Sequence, residues 1–354
     1  MKEFIIRENE AGQRADKFLK KYLSRAEEGF IYKMLRKKNI TLNDKKINGS
    51  EKLCVGDSVK IYFLEETLQK FTAAQNVVGN YDTYQHKNNG RRLHKPLYIH
   101  PGKIQDSIIY EDENVILFNK PSGVLSQKAC IDDMSVNELL LFYLLDKGKI
   151  TKEQLETFKP SICNRLDRNT SGLIIFGKNL KTLQFFSGVL KDRRIHKYYL
   201  CVVNGVMKDR QRIQGYLRKS EKNNMVDIID EAAYRLHPKK EEYSYIETEY
   251  MPLKDNGKYT LLKVHLVTGK PHQIRAHLAN MGHALAGDVK YGSRKVNHYF
   301  QKKYELEYQL LHSYELKFDE YEGDFRYLSG KSFKAELPWS FLEVIRREGL
   351  ESEY

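Results

Sequence analysis

Asp167 lies between Arg165 and Arg168 in the stretch NRLDRNTSG, residues 164–172. Flanking cations favour the ionised carboxylate, and an ionised carboxylate can act as a nucleophile or a base. A structural ion pair would use the same residues. The stretch runs through Thr-Ser-Gly into the apolar LIIFGK, so the acid is expected on a loop delivered onto a rigid strand end, where a reactive side chain can be held still. A second chemical segment is TGKPHQIRAHLANMGHALAGDVKYG, residues 268–292. Its Arg275 falls in the first turns of a predicted helix. There it is either a surface arginine or a permanently charged planar fork for a carboxylate or phosphate. His272 and His277 are five residues apart rather than the four of HExxH, so no metal is expected. Lys120 opens KPSGVL, a tight Pro-Gly turn after a strand that lacks the GKS/T ending of a phosphate loop. In HKYYLCVVNG, Tyr199 follows Lys197 by two residues, so the two share one strand face. The ring either fills the core or stacks on a displaced base. No second acid recurs beside Asp167, as the two-carboxylate chemistry of most glycosidases requires. Asp288 in GDVKYG is the one nearby candidate, and its turn-like surroundings read as structural. No nucleotide or other cofactor site stands out.

These residues need a scaffold, and the chain is long enough for two domains: 354 residues, 41% hydrophobic and 30% charged. Its formal charge is +13 and it has 24 tyrosines. That combination suits a polyanion with exposed bases, although a basic surface can also serve solubility alone. The opening MKEFIIRENEAGQRADKFL has no sustained apolar core and is not expected to be a signal peptide. The apolar run at residues 139–145 is too short to span a membrane. Cys54, Cys130, Cys163 and Cys201 are isolated and read as reduced thiols in cytoplasm.

Ala15, Phe18, Leu19, Tyr22 and Leu23 fall on one helix face. A second helix in GFIYKMLRKKN puts Phe30, Ile31, Met34 and Leu35 on one side and Lys33, Arg36 and Lys37 on the other, ending at Asn39. ITLNDKKI reads as a strand and a turn, and CVGDSVKIYF as a half-buried strand with Val59, Ile61 and Phe63 inward. Residues 1–64 hold 15 Lys/Arg against 9 Asp/Glu, a net +6. Residues 65–107 look polar and aperiodic, a linker that is ordered only on RNA if at all. From residue 108 a new domain of irregularly interleaved strands and helices is expected. IIYEDENVILFNK gives two strands. Ser135 to Glu138 gives a capping box that opens a helix closed by Gly148. Residues 179–191 give a helix, and HKYYLCVVNG and YTLLKVHLVTG give strands. PHQIRAHLANMG gives a short helix with Pro271 in its first turn and Gly282 at its end. This predicts an α+β fold with a mixed sheet rather than a doubly wound one.

Taken together, YEDENVILFNKPSG, NRLDRNTSGLIIFGKN, HKYYLCVVNG, the 268–292 segment and LLHSYELKF resemble the RluA-type pseudouridine synthases. RADKFL, the basic helix and GDSVKI resemble the small RNA-binding module named for ribosomal protein S-four. The resemblance implies a catalytic domain at 108–354 with a mainly antiparallel mixed sheet, a linker at 65–107 and the module at 1–64. It implies isomerisation of uridines in large-subunit ribosomal RNA by base flipping, with no cofactor, no metal and no obligate protein partner. Transfer RNA is an alternative substrate, and a non-enzymatic RNA-binding or assembly factor an alternative role. Asp167 would be the catalytic carboxylate and Arg275 its partner. Arg165 would enter the gap left by the uridine, and Tyr199 would stack on the uracil. Lys120 and Pro121 would support the floor of the site, and Lys120 would also meet substrate RNA. Ile274 and Leu278 would line its apolar side, and Lys33, Arg36 and Lys37 would meet phosphates. Asn164 stands where the family usually has His, and Lys270-Pro271 where it has Arg-Thr, which bears on the substrate more than on the reaction.

Overall fold

The computed structural model describes residues 1–72, 104–130, 133–220 and 225–354. The N-terminal part carries helices α1 (Ala15–Tyr22), α2 (Glu28–Arg36) and α3 (Glu65–Phe71), and strands β1 (Lys2–Ile5), β2 (Ile40–Leu42), β3 (Lys45–Lys46) and β4 (Ser58–Ile61). The strands pair antiparallel in the order β1-β4-β2-β3. Alternation along β4 turns Val59 and Ile61 inward, where they meet Phe18, Leu19, Ile31 and Leu35 in a core of their own. The opposite face of α2 leaves Lys33, Arg36 and Lys37 exposed, because an amphipathic helix buries one stripe only.

The linker expectation changes at both ends. Residues 65–71 form α3, whose Leu68 is buried and whose Phe71 packs at 4.4 Å from the Phe30 ring. Five polar residues among the seven of that segment hid a short amphipathic turn. At the other end Ile104 is buried in the core of the second domain. The remainder of the expected linker, 73–103, lies outside the described residues.

From residue 108 the strands are β5 (Ile108–Glu111), β6 (Val115–Lys120), β7 (Ser161–Ile162), β8 (Ser171–Gly177), β9 (Ile195–Asn204), β10 (Gln211–Lys219), β11 (Val226–Ile229), β12 (Ser244–Asp255), β13 (Tyr259–Leu266), β14 (Leu311–Phe318) and β15 (Ser332–Lys334). The helices are α4 (Val136–Asp146), α5 (Gln154–Thr157), α6 (Leu180–Lys191), α7 (Glu231–Leu236), α8 (Gln273–Asn280), α9 (Arg294–Tyr304) and α10 (Trp339–Arg347). The strands form one sheet in the order β11-β10-β12-β13-β9-β14-β8-β6-β5, with β15 on β14 and β7 on β8. Every pairing is antiparallel except β14 with β8, so the fold is α+β with a mixed, mainly antiparallel sheet.

Alternate residues of the central strands feed two cores. Phe118, Ile174, Phe176, Tyr199 and Cys201 face the side covered by α4 and α8. Leu117, Leu173, Ile175, Leu200 and Val202 face the side covered by α6, α9 and α10. Helix α4 is apolar nearly all round and buries seven of its residues, as a core helix does. Among the described residues no helix is long and apolar enough to cross a membrane. Its cap differs from expectation: the Ser135 hydroxyl bonds the Glu138 carboxylate and not the backbone. Pro271 likewise lies outside α8, before an N-cap at His272 that has a left-handed backbone (φ 54°).

Candidate active site

The loop of Asp167 is tied down on both flanks. Ile175 N donates to Asn164 Oδ1 at 2.7 Å, which holds the loop's start against β8. Ser126 Oγ accepts from Leu166 N at 3.0 Å and donates to Leu166 O at 2.7 Å. At the far end Gly172 has φ 109°, and a Cβ there would run into the Ser313 carbonyl of β14. Only glycine permits that backbone and that approach. The Thr-Ser-Gly of the sequence therefore marks where the loop must dive into the parallel pairing of β8 with β14.

Lys120, expected among the RNA-contacting residues, is fully buried. Its Nζ donates to Pro121 O (2.9 Å), Val124 O (2.8 Å) and Arg168 O (2.9 Å). It cannot reach RNA. It braces the KPSG turn against the loop that carries Asp167, and Gly123 N to Arg168 O at 3.0 Å completes the seam. Burial pulls the Lys120 pKa down to about 7, with Asp167 opposing and Arg168 adding to the fall. Three carbonyl acceptors need three N–H donors, which only the ammonium form has.

Helix α8 delivers the partner. Gln273, buried at its start, accepts from Thr268 Oγ1 (2.9 Å) and Lys270 N (3.1 Å) and donates to Glu247 O and Thr248 Oγ1 (2.9 Å each). With its hydrogen-bonding capacity filled, Gln273 locks the helix onto β12. Arg275 then donates from Nη1 to Asp167 Oδ2 at 3.0 Å. Its Nε and Nη2 grip Asp288 at 2.7 and 2.9 Å. Side-chain exposure falls from 25% at Asp167 to 6% at Arg275 and 0% at Asp288. The guanidinium is thus a buried bridge between a structural carboxylate and a surface-facing one. Burial works against the Arg275 charge, but Asp288 and then Asp167 raise its pKa above the ordinary value. Burial likewise pushes Asp288 up, but Arg275 and the N–H groups of Lys290 and Tyr291 outweigh it and hold the acid below its usual range.

The structure adds two residues to the candidate set. Tyr291 stands 5.3 Å beneath the Arg275 guanidinium, accepts from Val226 N at 2.9 Å and bonds His272 Nδ1 at 2.9 Å. That contact turns His272 Nε2 to 3.9 Å from Asp167 Oδ2. Burial keeps the His272 pKa below its ordinary value, against the pull of Asp167. The reading of His272 as half of a rejected metal pair obscured its place here. His277, the other half, is buried and bonds Thr248 Oγ1 at 3.1 Å. Asp288, read as structural, is structural and also completes the site. Nothing in GDVKYG points to a partner 13 residues upstream on another element.

Tyr199 is 5% exposed and sits in the apolar cluster with Ile274 and Leu278. Burial raises its pKa to about 12, with Ser313 opposing and Asp167 adding to the rise. Leu278 has no exposure, so it supports the apolar side from behind instead of lining it. Arg165 is exposed and free to point outward from the loop. The arrangement offers one carboxylate on a rigid cationic pedestal, flanked by an aromatic ring and an imidazole.

Residues 114–280 match the RNA pseudouridylate synthase family. The chain is 31% identical over 305 residues to the ribosomal large subunit pseudouridine synthase D of Borreliella burgdorferi, covering 79% of this chain and 86% of that protein. It is 30% identical over 320 residues to the ribosomal large subunit pseudouridine synthase C of Buchnera aphidicola, covering 88% of each. The fold is similar to that of human RNA pseudouridylate synthase domain containing 4, with a TM-score of 0.56 and 17% identity over 72% of this chain and 97% of the human one.

Proposed function

The chain belongs to the RluA-type RNA pseudouridine synthases, and from that premise we propose that it isomerises uridines of large-subunit ribosomal RNA with Asp167 as the catalytic carboxylate. The relatives named for that RNA support the substrate. The observation that carries the site assignment is the Arg275–Asp167 contact of 3.0 Å backed by a fully buried Asp288. The exposed free thiols of Cys54 and Cys130 fit a reducing compartment, the cytoplasm.

The reaction breaks the glycosidic C–N bond, turns the uracil and joins its carbon-5 to the ribose. A uracil inside a helix is out of reach, so it is flipped out at a cost of roughly a few kcal/mol. Arg165 fills the vacated stack and Tyr199 receives the displaced ring, which offsets part of that cost. Arg275 holds Asp167 aimed as the base arrives and water leaves. The carboxylate then attacks the sugar or the ring, or takes a ribose proton. The N-terminal module presents Lys33, Arg36 and Lys37 to RNA phosphates. The test is tritium release from ribosomal RNA labelled at uracil carbon-5. Wild type releases tritium and Asp167→Asn does not while still binding RNA; release by Asp167→Asn at the wild-type rate overturns the assignment.

A further inference from the structure

Beside the site, on the same side of the sheet, lies a cavity of about 390 Å³ walled by Lys191, Arg193, Lys197, Thr268, Gly269 and Lys270. It gathers four cations. Among the described residues none of the four side chains meets a carboxylate, and the one charged neighbour acting on Lys197 is Arg193. Glu247, on the neighbouring strand β12, is already engaged by Arg212 and by the Tyr245 hydroxyl at 2.9 Å. Lys197 is half-buried, and a Cβ on residue 269 would stand 3.3 Å from its Nζ, so Gly269 leaves the room the ammonium occupies. Burial and the neighbouring Arg193 both lower the Lys197 pKa. Arg193 itself holds a left-handed backbone (φ 60°) at the turn between α6 and β9. A half-buried ammonium among like charges is unfavourable until an anion completes it.

The place of the cavity says which anion. Lys197 precedes Tyr199 by two residues on β9, about 7 Å along one face of the strand. Gly269 and Lys270 lead directly into His272, whose Nε2 is 3.9 Å from Asp167. A nucleotide seated on Asp167 and Tyr199 therefore carries its neighbouring backbone linkage towards these cations. We propose that the cavity is a phosphate clamp, binding the RNA phosphodiester that flanks the flipped uridine through Lys191, Arg193, Lys197 and Lys270. The inference rests on the proposed uridine chemistry of Asp167. It assigns the clamp to affinity and register, which the guanidinium and ammonium supply without reading the base.

The test uses the full chain with fragments of large-subunit ribosomal RNA tritiated at uracil carbon-5. The variants are Lys191→Gln/Arg193→Gly, where glycine accepts the positive φ, and Lys197→Met, which keeps the stem without the charge. Both are expected to raise KM about tenfold at physiological salt and to make its salt dependence shallower by about one in logarithmic slope, with kcat at saturating RNA within twofold of wild type. An uncharged methylphosphonate at the flanking linkage should cost wild type the same factor and cost the double variant nothing more. An unchanged KM and salt slope, or a methylphosphonate penalty as large in the variant as in wild type, overturns the clamp. A lowered melting temperature with the salt slope intact also overturns it, because the cations then serve folding. Absence of tritium release by wild type instead overturns the uridine chemistry, while filter binding of charged and methylphosphonate RNA still decides the clamp.

Discussion

Two asparagine substitutions separate the chemistry of the site from its support. Asp288→Asn removes a charge at a side chain with 0% exposure that grips Arg275 at two points. Breaking such a buried pair costs about 3–5 kcal/mol, because the guanidinium stays buried without its partner. At roughly 2 °C per kcal/mol for a domain of this size, the melting temperature falls by about 6–10 °C. Asp167→Asn changes a side chain that keeps 25% exposure and leaves the two-point grip of Asp288 intact. Its amide oxygen can still accept from Arg275, so the stability change stays under about 1 kcal/mol. Turnover should divide the other way. Asp167→Asn abolishes tritium release. Asp288→Asn retains the carboxylate but loosens its aim, lowering kcat on the order of 100-fold. Thermal melts and single-turnover tritium release on the same preparations read both quantities. Equal destabilisation by the two variants, or wild-type behaviour of Asp288→Asn in both assays, would refute the pedestal argument.

Lys120→Met leaves three carbonyls without their donor, so a loss of at least about 2 kcal/mol and a depressed kcat are expected in denaturant melts and turnover; a stable, active variant contradicts the brace. Burial pushes the pKa of His277 and of His312 down to about 4. These folded values lie below the ordinary 6.5, so the unfolded chain takes up protons first on acidification. Their stability is full above pH 6.5 and drains as pH falls towards 4, by up to about 3 kcal/mol each; urea melts that give the same stability at pH 7 and pH 4.5 would count against it. Replacing Lys33, Arg36 and Lys37 together by Gln should weaken RNA binding and flatten its logarithmic salt slope by roughly two to three, and an unaltered slope in filter binding means the basic face of α2 is only solvated.

Much of the scaffold was legible because its signals are local. Val59, Ile61 and Phe63 alternate, and all three are buried. The run LIIFG, residues 173–177, lies within β8, every residue of which is buried. The periodic helices at 15–22, 28–36 and 180–191 stand where their apolar stripes put them. The misses fell where local pattern is weak. Helix α3 is seven residues long, too short for a periodic signature. Ser135 and Glu138 have capping-box spacing, yet their side chains meet each other. The resemblance gave Lys120 two roles, in the floor of the site and on the RNA; three backbone carbonyls, one of them 48 residues away, bury it and leave only the first.

By itself the sequence determined which residues could react and on which elements they ride: Asp167 ahead of a buried strand, Arg275 in a short helix, Tyr199 on another strand. The resemblance paired Arg275 with Asp167; only the tertiary structure decided how they meet, at 3.0 Å across 108 residues of chain, and that Asp288 holds the guanidinium from behind. It also decided that His272 and Tyr291 join them, and that Lys191, Arg193, Lys197 and Lys270 wall one cavity. The reason is physical. Periodicity and turn chemistry are properties of neighbours in the chain, whereas burial, charge pairing and the pKa shifts they cause are properties of neighbours in space.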